Sequence, residues 1–115
     1  MDLMLETDEH GRIICTIVDG RQAATVTASN MPDAASELPK ALERARASGL
    51  GECWWEEQGG AYRCLFRRDG DRVTVVVLWS TGTITGWEHV FRSECDLAWL
   101  ATRITEELAS LARPS

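Results

Sequence analysis

No long apolar run is present in this sequence: the longest, residues 75–79, is five residues, against roughly 20 for a membrane-spanning helix. The first residues carry neither a basic segment nor the apolar stretch of a secretion signal, so a cytoplasmic protein with no membrane contact is expected. Cysteine is present without pairing. Cys15, Cys53, Cys64 and Cys95 show no Cys-x-x-Cys spacing, and the histidines are His10 and His89. Structural zinc sites draw ligands in close sequence pairs, because one tight turn presents two at once. Neither a metal site nor a disulfide framework is therefore expected, and the thiols read as small buried apolar side chains. The chain also lacks a nucleophile elbow, a phosphate loop, a His-Glu-x-x-His and a dinucleotide fingerprint. No catalytic residue and no cofactor are assigned.

What is present is ordinary in bulk and uneven in detail. The 115 residues, 44% hydrophobic and 26% charged, suit one domain able to bury a core without a metal or disulfide. The net charge is −6, and its distribution is lopsided. Residues 1–58 hold 11 acids and 5 bases, whereas residues 59–115 hold 7 of each. Such a balance repels nucleic-acid phosphates and favours electrostatic steering toward a basic partner.

The pattern along the chain predicts an α+β domain over residues 1–115. It comprises an antiparallel, twisted sheet of about seven strands: three, then a helix, then a four-stranded meander, with a C-terminal helix packed on one face. Residues 2–7 and 12–18 alternate, with a turn at residues 8–11. Asp19-Gly20 then reads as a two-residue hairpin loop, pairing Val18 with Arg21, Cys15 with Ala24 and Ile13 with Val26. Asn30 is placed as the N-cap of a helical segment. Pro39 inside it predicts a short first turn and a main helix over residues 37–48, with Ala41, Leu42 and Ala45 beside Leu38 on one apolar face and Gly49 as its stop.

Gly59-Gly60 and Asp69-Gly70 join three further strands, 52–58, 61–68 and 71–80. Taken as two-residue loops, they pair Trp55 with Cys64, Cys53 with Phe66, Phe66 with Val73, Cys64 with Val75 and Tyr62 with Val77. Glu56 then faces Arg63 and Glu52 faces Arg67, while Cys53 and Cys64 become diagonal neighbours, too far apart to bridge easily. A last strand is expected over residues 84–92 in an ambiguous register, with a bulge at Gly86. Ser93 is read as the cap of the final helix, with Asp96 at its third position. Leu97, Leu100, Ala101, Ile104, Leu108 and Leu111 form the inward stripe of that helix, and Trp99, beside Arg103 and Glu106, lies nearly opposite.

Five tryptophans, Trp54, Trp55, Trp79, Trp87 and Trp99, are the compositional oddity. Trp55 and Trp79 read as core or core-edge packing. Trp54, on the charged side of its hairpin, and Trp99, on the outer helix face, are harder to bury. Tryptophan with arginine is the usual make-up of an interface hot spot. Trp54, Trp99, Trp87, His89, Arg103 and Glu106 are thus the candidate partner-binding residues, for a basic protein or for a second copy in a homodimer. The alternative is a small-ligand or lipid cavity between sheet and C-terminal helix, lined by Tyr62, Trp79 and Trp87. A third reading, a small enzyme centred on His89 with Glu88 or with Arg63, Arg67 and Arg92, lacks motif support. Glu88 and His89 are adjacent on a strand and point to opposite faces.

The run Trp54-Trp55-Glu56-x-x-Gly59-Gly60-x-Tyr62-Arg63, the turn Asp69-Gly70-Asp71-Arg72-Val73, the segment Gly86-Trp87-Glu88 and the Leu-rich last helix together resemble small actinobacterial proteins loosely akin to immunity proteins of polymorphic toxin systems. The likeness covers roughly residues 35–112 and rests on turns, tryptophans and caps. It implies a protein that neutralises a partner by binding, and it carries over no catalytic residues.

Overall fold

A computed structural model describes residues 1–29, 31–81 and 86–112. The elements follow the order β1 (Asp2–Thr7), β2 (Ile13–Asp19), β3 (Gln22–Ala28), α1 (Met31–Ser48), β4 (Leu50–Glu57), β5 (Gly60–Asp69), β6 (Arg72–Ser80), β7 (Glu88–Asp96) and α2 (Leu97–Ala112). The strands form two antiparallel sheets, β1-β2-β3 and β4-β5-β6-β7. The three-strand, helix, four-strand sequence is as expected, but the strands divide between two sheets. Asn30 and the start of the last strand at residue 84 lie outside the described residues.

Alternation decides which side of each strand is buried. Leu3 and Leu5, Ile13, Cys15 and Ile17, and Ala24, Val26 and Ala28 line the inner face of the first sheet. Cys53, Trp55, Cys64, Phe66, Val73, Val75, Val77, Phe91 and Cys95 line that of the second. Helix α1 adds Ala34, Leu38, Ala41, Leu42 and Ala45, and α2 adds Leu97, Leu100 and Ile104, so both sheets and both helices share one core. All four cysteines are buried and free.

Every hairpin register differs by two residues from the expectation. Asp19 pairs with Gln22, so Ile17 faces Ala24 and Cys15 faces Val26. Glu57 pairs with Gly60, placing Cys53 directly opposite Cys64 and Trp54 opposite Arg63. Asp69 pairs with Arg72, placing Phe66 opposite Val75 and Tyr62 opposite Trp79. The reason lies in the loops. A loop of Asp19-Gly20 or Asp69-Gly70 needs positive φ at the aspartate, and among the described residues no non-glycine residue adopts it. Gly20 and Gly70, at φ +59° and +62°, instead take the first loop position, where a type II′ turn wants glycine. A slip of two leaves every side chain on its face, so the buried set survives the error. The predicted pairs Glu56 with Arg63 and Glu52 with Arg67 do not.

Helix α1 runs unbroken through Pro39. An interior proline costs about 3 kcal/mol, and the apolar face on both sides of it outweighs that: Ala34 and Leu38 before, Ala41, Leu42 and Ala45 after, are all buried. Two other expectations also change. Ser93 is not a helix cap. It lies inside β7, buried, and its Oγ donates to Asp19 of the first hairpin. The inward alternation of Phe91, Ser93 and Cys95 carries the strand to Asp96, and α2 opens with the Leu97 N–H donating to the Asp71 carbonyl at 2.9 Å. The strand irregularity is not at Gly86, which precedes β7. It falls where Val77 pairs with Phe91 but Leu78 pairs with His89, leaving Val90 as the extra residue.

Candidate functional site: the outer face of the second sheet

The register sets four residues of the outer face in one row: Trp54 of β4 faces Arg63 of β5, Arg63 faces Leu78 of β6, and Leu78 faces His89 of β7. Trp87, just before β7, folds onto the same face. Its ring meets that of Trp54 edge-on, with centroids 4.9 Å apart and planes at 79°. The Arg63 guanidinium lies over both rings, 5.6 Å from Trp54 and 5.8 Å from Trp87, within reach of both π-clouds. Glu52 fixes that guanidinium: its Oε2 accepts from Nε at 2.7 Å and lies 2.6 Å from a terminal nitrogen. Its Oε1 takes the Trp54 indole N–H at 3.4 Å.

The cluster is ordered yet open. Trp54 is 47% exposed and Trp87 37%, with Val90 also exposed and Leu65, Val76 and Leu78 half-buried around them. The outer face of the first sheet presents Thr16, Thr25, Thr27, Asp2 and Glu6 beside Met4, Ile14 and Val18, without an aromatic cluster among the described residues.

Of the residues expected to bind a partner, the structure brings together Trp54, Trp87 and His89. Trp99, Arg103 and Glu106 form a separate patch on α2. There Arg103 donates from Nε to the Leu3 carbonyl at 2.9 Å and pairs with Asp2 at 3.3 Å and Glu106 at 3.8 Å. It fastens β1 to the helix. Trp99 is half-buried against the core edge. Arg63 and Glu52, which complete the tryptophan cluster, were not among the expected contact residues; the correct turn type is the signal that finds them.

The expected cavity does not assemble. Tyr62 and Trp79 pair on the inner side, with ring centroids 4.6 Å apart, while Trp87 sits on the outer face. Burial, then the neighbouring Glu57 carboxylate, raises the Tyr62 phenol above its usual range. The space between the sheets and α2 is filled. The gap among Leu38, Trp55, Phe66 and Leu100 measures about 10 Å³, at the lower limit for one water.

A second concavity lies at the edge of β4. About 320 Å³ in volume, it is lined by Ala28, Asp33, Ala34, Glu37, Trp54, Trp55 and Glu56. Among the described residues, no group of three or more His, Cys, Asp and Glu side chains is placed to hold a metal ion, and no helix is long and apolar enough to cross a membrane. No protein-family model, curated protein or solved structure matches this chain.

Proposed function

We propose that the chain is a non-catalytic protein-binding domain, that its contact surface is the outer face of the four-stranded sheet, and that its partner is a basic protein. The observation that carries the reading is the exposed Trp54–Arg63–Trp87 cluster. Large aromatic side chains held in one arrangement lose little further freedom on binding, and tryptophan and arginine supply most hot spots. Glu52 performs that ordering in advance. The surplus of acid in residues 1–58 steers a basic protein toward the molecule. Neutralising a partner by covering its surface, the role implied by the resemblance to immunity-type proteins, needs such a surface and no catalytic group.

The test is capture of the partner from the native host, followed by affinity measurements with Trp54→Ala and Trp87→Ala. Each substitution is expected to weaken binding about 30-fold, the loss that corresponds to a 2 kcal/mol hot spot, while leaving the thermal midpoint within a few degrees. Unchanged affinity in both variants, or an acidic partner, would overturn the proposal.

A further inference from the structure

Main-chain geometry exposes one stretch of β4. Glu57 and Gly60 close a two-residue loop, so odd-numbered residues of β4 turn their N–H and C=O toward β5 and even-numbered ones toward the open edge. Two of the latter are occupied. The Glu56 carbonyl accepts from the Ser29 N–H at 3.1 Å, and the Glu52 carbonyl accepts from Arg44 at 2.8 Å. Between them, Trp54 presents its N–H and C=O with no bond from α1 or β3 among the described residues. That gap opens onto the concavity lined by Asp33, Glu37, Trp54, Trp55 and Glu56.

Trp55 adds an independent observation. It is 1% exposed, and among the described residues its indole N–H has no hydrogen-bond partner, a costly omission for a buried donor. Trp55 borders two spaces. The gap in the core is lined by apolar side chains and thiols; the edge concavity is polar.

We propose that this concavity binds an arginine or lysine side chain carried on an extended segment of the partner polypeptide. The proposal rests on the reading of the chain as a protein-binding domain and deepens it. The Trp54 main chain pairs with the segment as an added strand does, Glu37 and Glu56 face its cation alongside Asp33, and the Trp54 ring supplies a cation–π contact. A volume of about 320 Å³, at the small end of ligand sites, fits one long side chain.

The probe is the peptide acetyl-Ala-Arg-Ala-amide, titrated into the full ¹⁵N-labelled chain, with its uncharged citrulline counterpart as control. Saturable shifts are expected at the Trp54 amide and the Trp55 indole N–H with a Kd of about 1 mM, a normal value for a single anchored side chain. The citrulline peptide, and the Glu37→Gln/Glu56→Gln variant with arginine peptide, should each bind about tenfold or more weakly. Met4→Ala, exposed on the outer face of the other sheet, should change peptide affinity less than about twofold. Equal binding of the two peptides, shifts elsewhere on the surface, or no saturation would overturn the inference. Because Trp87 is absent from the concavity, the two proposals fail separately. Partner binding that depends on Trp87 but not on Glu37 and Glu56 removes only the concavity, and peptide binding with a partner indifferent to Trp87 removes only the sheet face.

Discussion

Gly51 shows how much a single residue decides. It occupies the inner face of β4 where α1 crosses, and a Cβ built there would sit 1.8 Å from the Ala41 carbonyl oxygen and 3.0 Å from the Ala45 nitrogen. Both are backbone atoms, so no side-chain rotation relieves the clash. Gly51→Ala should therefore cost about 3 kcal/mol or more, the upper end of overpacking penalties, read as a shift in the denaturant midpoint. Leu50→Ala, on a neighbouring exposed side chain, serves as control and should stay within about 0.5 kcal/mol. A Gly51→Ala protein as stable as the parent would show that α1 does not seat where it is drawn. Nothing in the sequence marks this glycine apart from the turn glycines, because close approach depends on a helix that begins twenty residues earlier. The contrast between Trp54 and Trp55, by comparison, was readable: adjacent strand residues point to opposite faces, and one tryptophan is open and the other in the core.

Edge strands show what the elements do for one another. β1 ends the first sheet and would leave N–H and C=O groups unpaired along its outer side. Helix α2 answers with side chains: the Leu5 N–H donates to Glu107 Oε1 at 2.9 Å, and the Leu3 carbonyl accepts from Arg103. Glu107→Ala removes the acceptor and keeps the helix, so it should cost about 1–2 kcal/mol for a partly buried amide left unsatisfied. Faster hydrogen exchange at the Leu5 amide than at Cys15, on the central strand, would localise the loss. An unchanged rate at Leu5 would show that water replaces the carboxylate freely. This bracing was hidden in the sequence, since it joins positions 102 residues apart. The strands themselves were legible from alternation and glycine-marked turns. The registers at the two Asp-Gly turns missed by two because glycine at the first loop position and glycine at the second select different turns, and Asp-Gly accommodates both; at the third hairpin the loop is Gln58-Gly59 and not Gly59-Gly60.

At the scale of the molecule, the order of elements and nearly all of the buried set follow from periodicity, but the packing of two sheets against each other does not. Contacts such as Ser93 with Asp19, and the concavity beside Trp54, arise only when distant elements meet. The shared core has a consequence for pH. Burial pushes the Cys15 thiol up to about 12 and that of Cys95 to about 11. Contact with Cys64, then burial, raises Cys53 further. An exposed thiol in the unfolded chain titrates near 9.0. Below that value both states hold the proton and the contribution of Cys15 to stability is complete. Between pH 9 and 12 the unfolded chain ionises while the native one does not, so stability falls as pH rises, by about 1.4 kcal/mol per pH unit for each such thiol. Denaturant midpoints should accordingly hold steady from pH 7 to 8.5 and decline above 9. Cys15→Ala, less stable at neutral pH for its lost volume, should decline less steeply by one thiol's share, and comparing the two slopes cancels the contributions common to both. Parallel slopes in parent and variant would mean that Cys15 ionises in the native state, and with it that the core admits water at the junction of the two sheets.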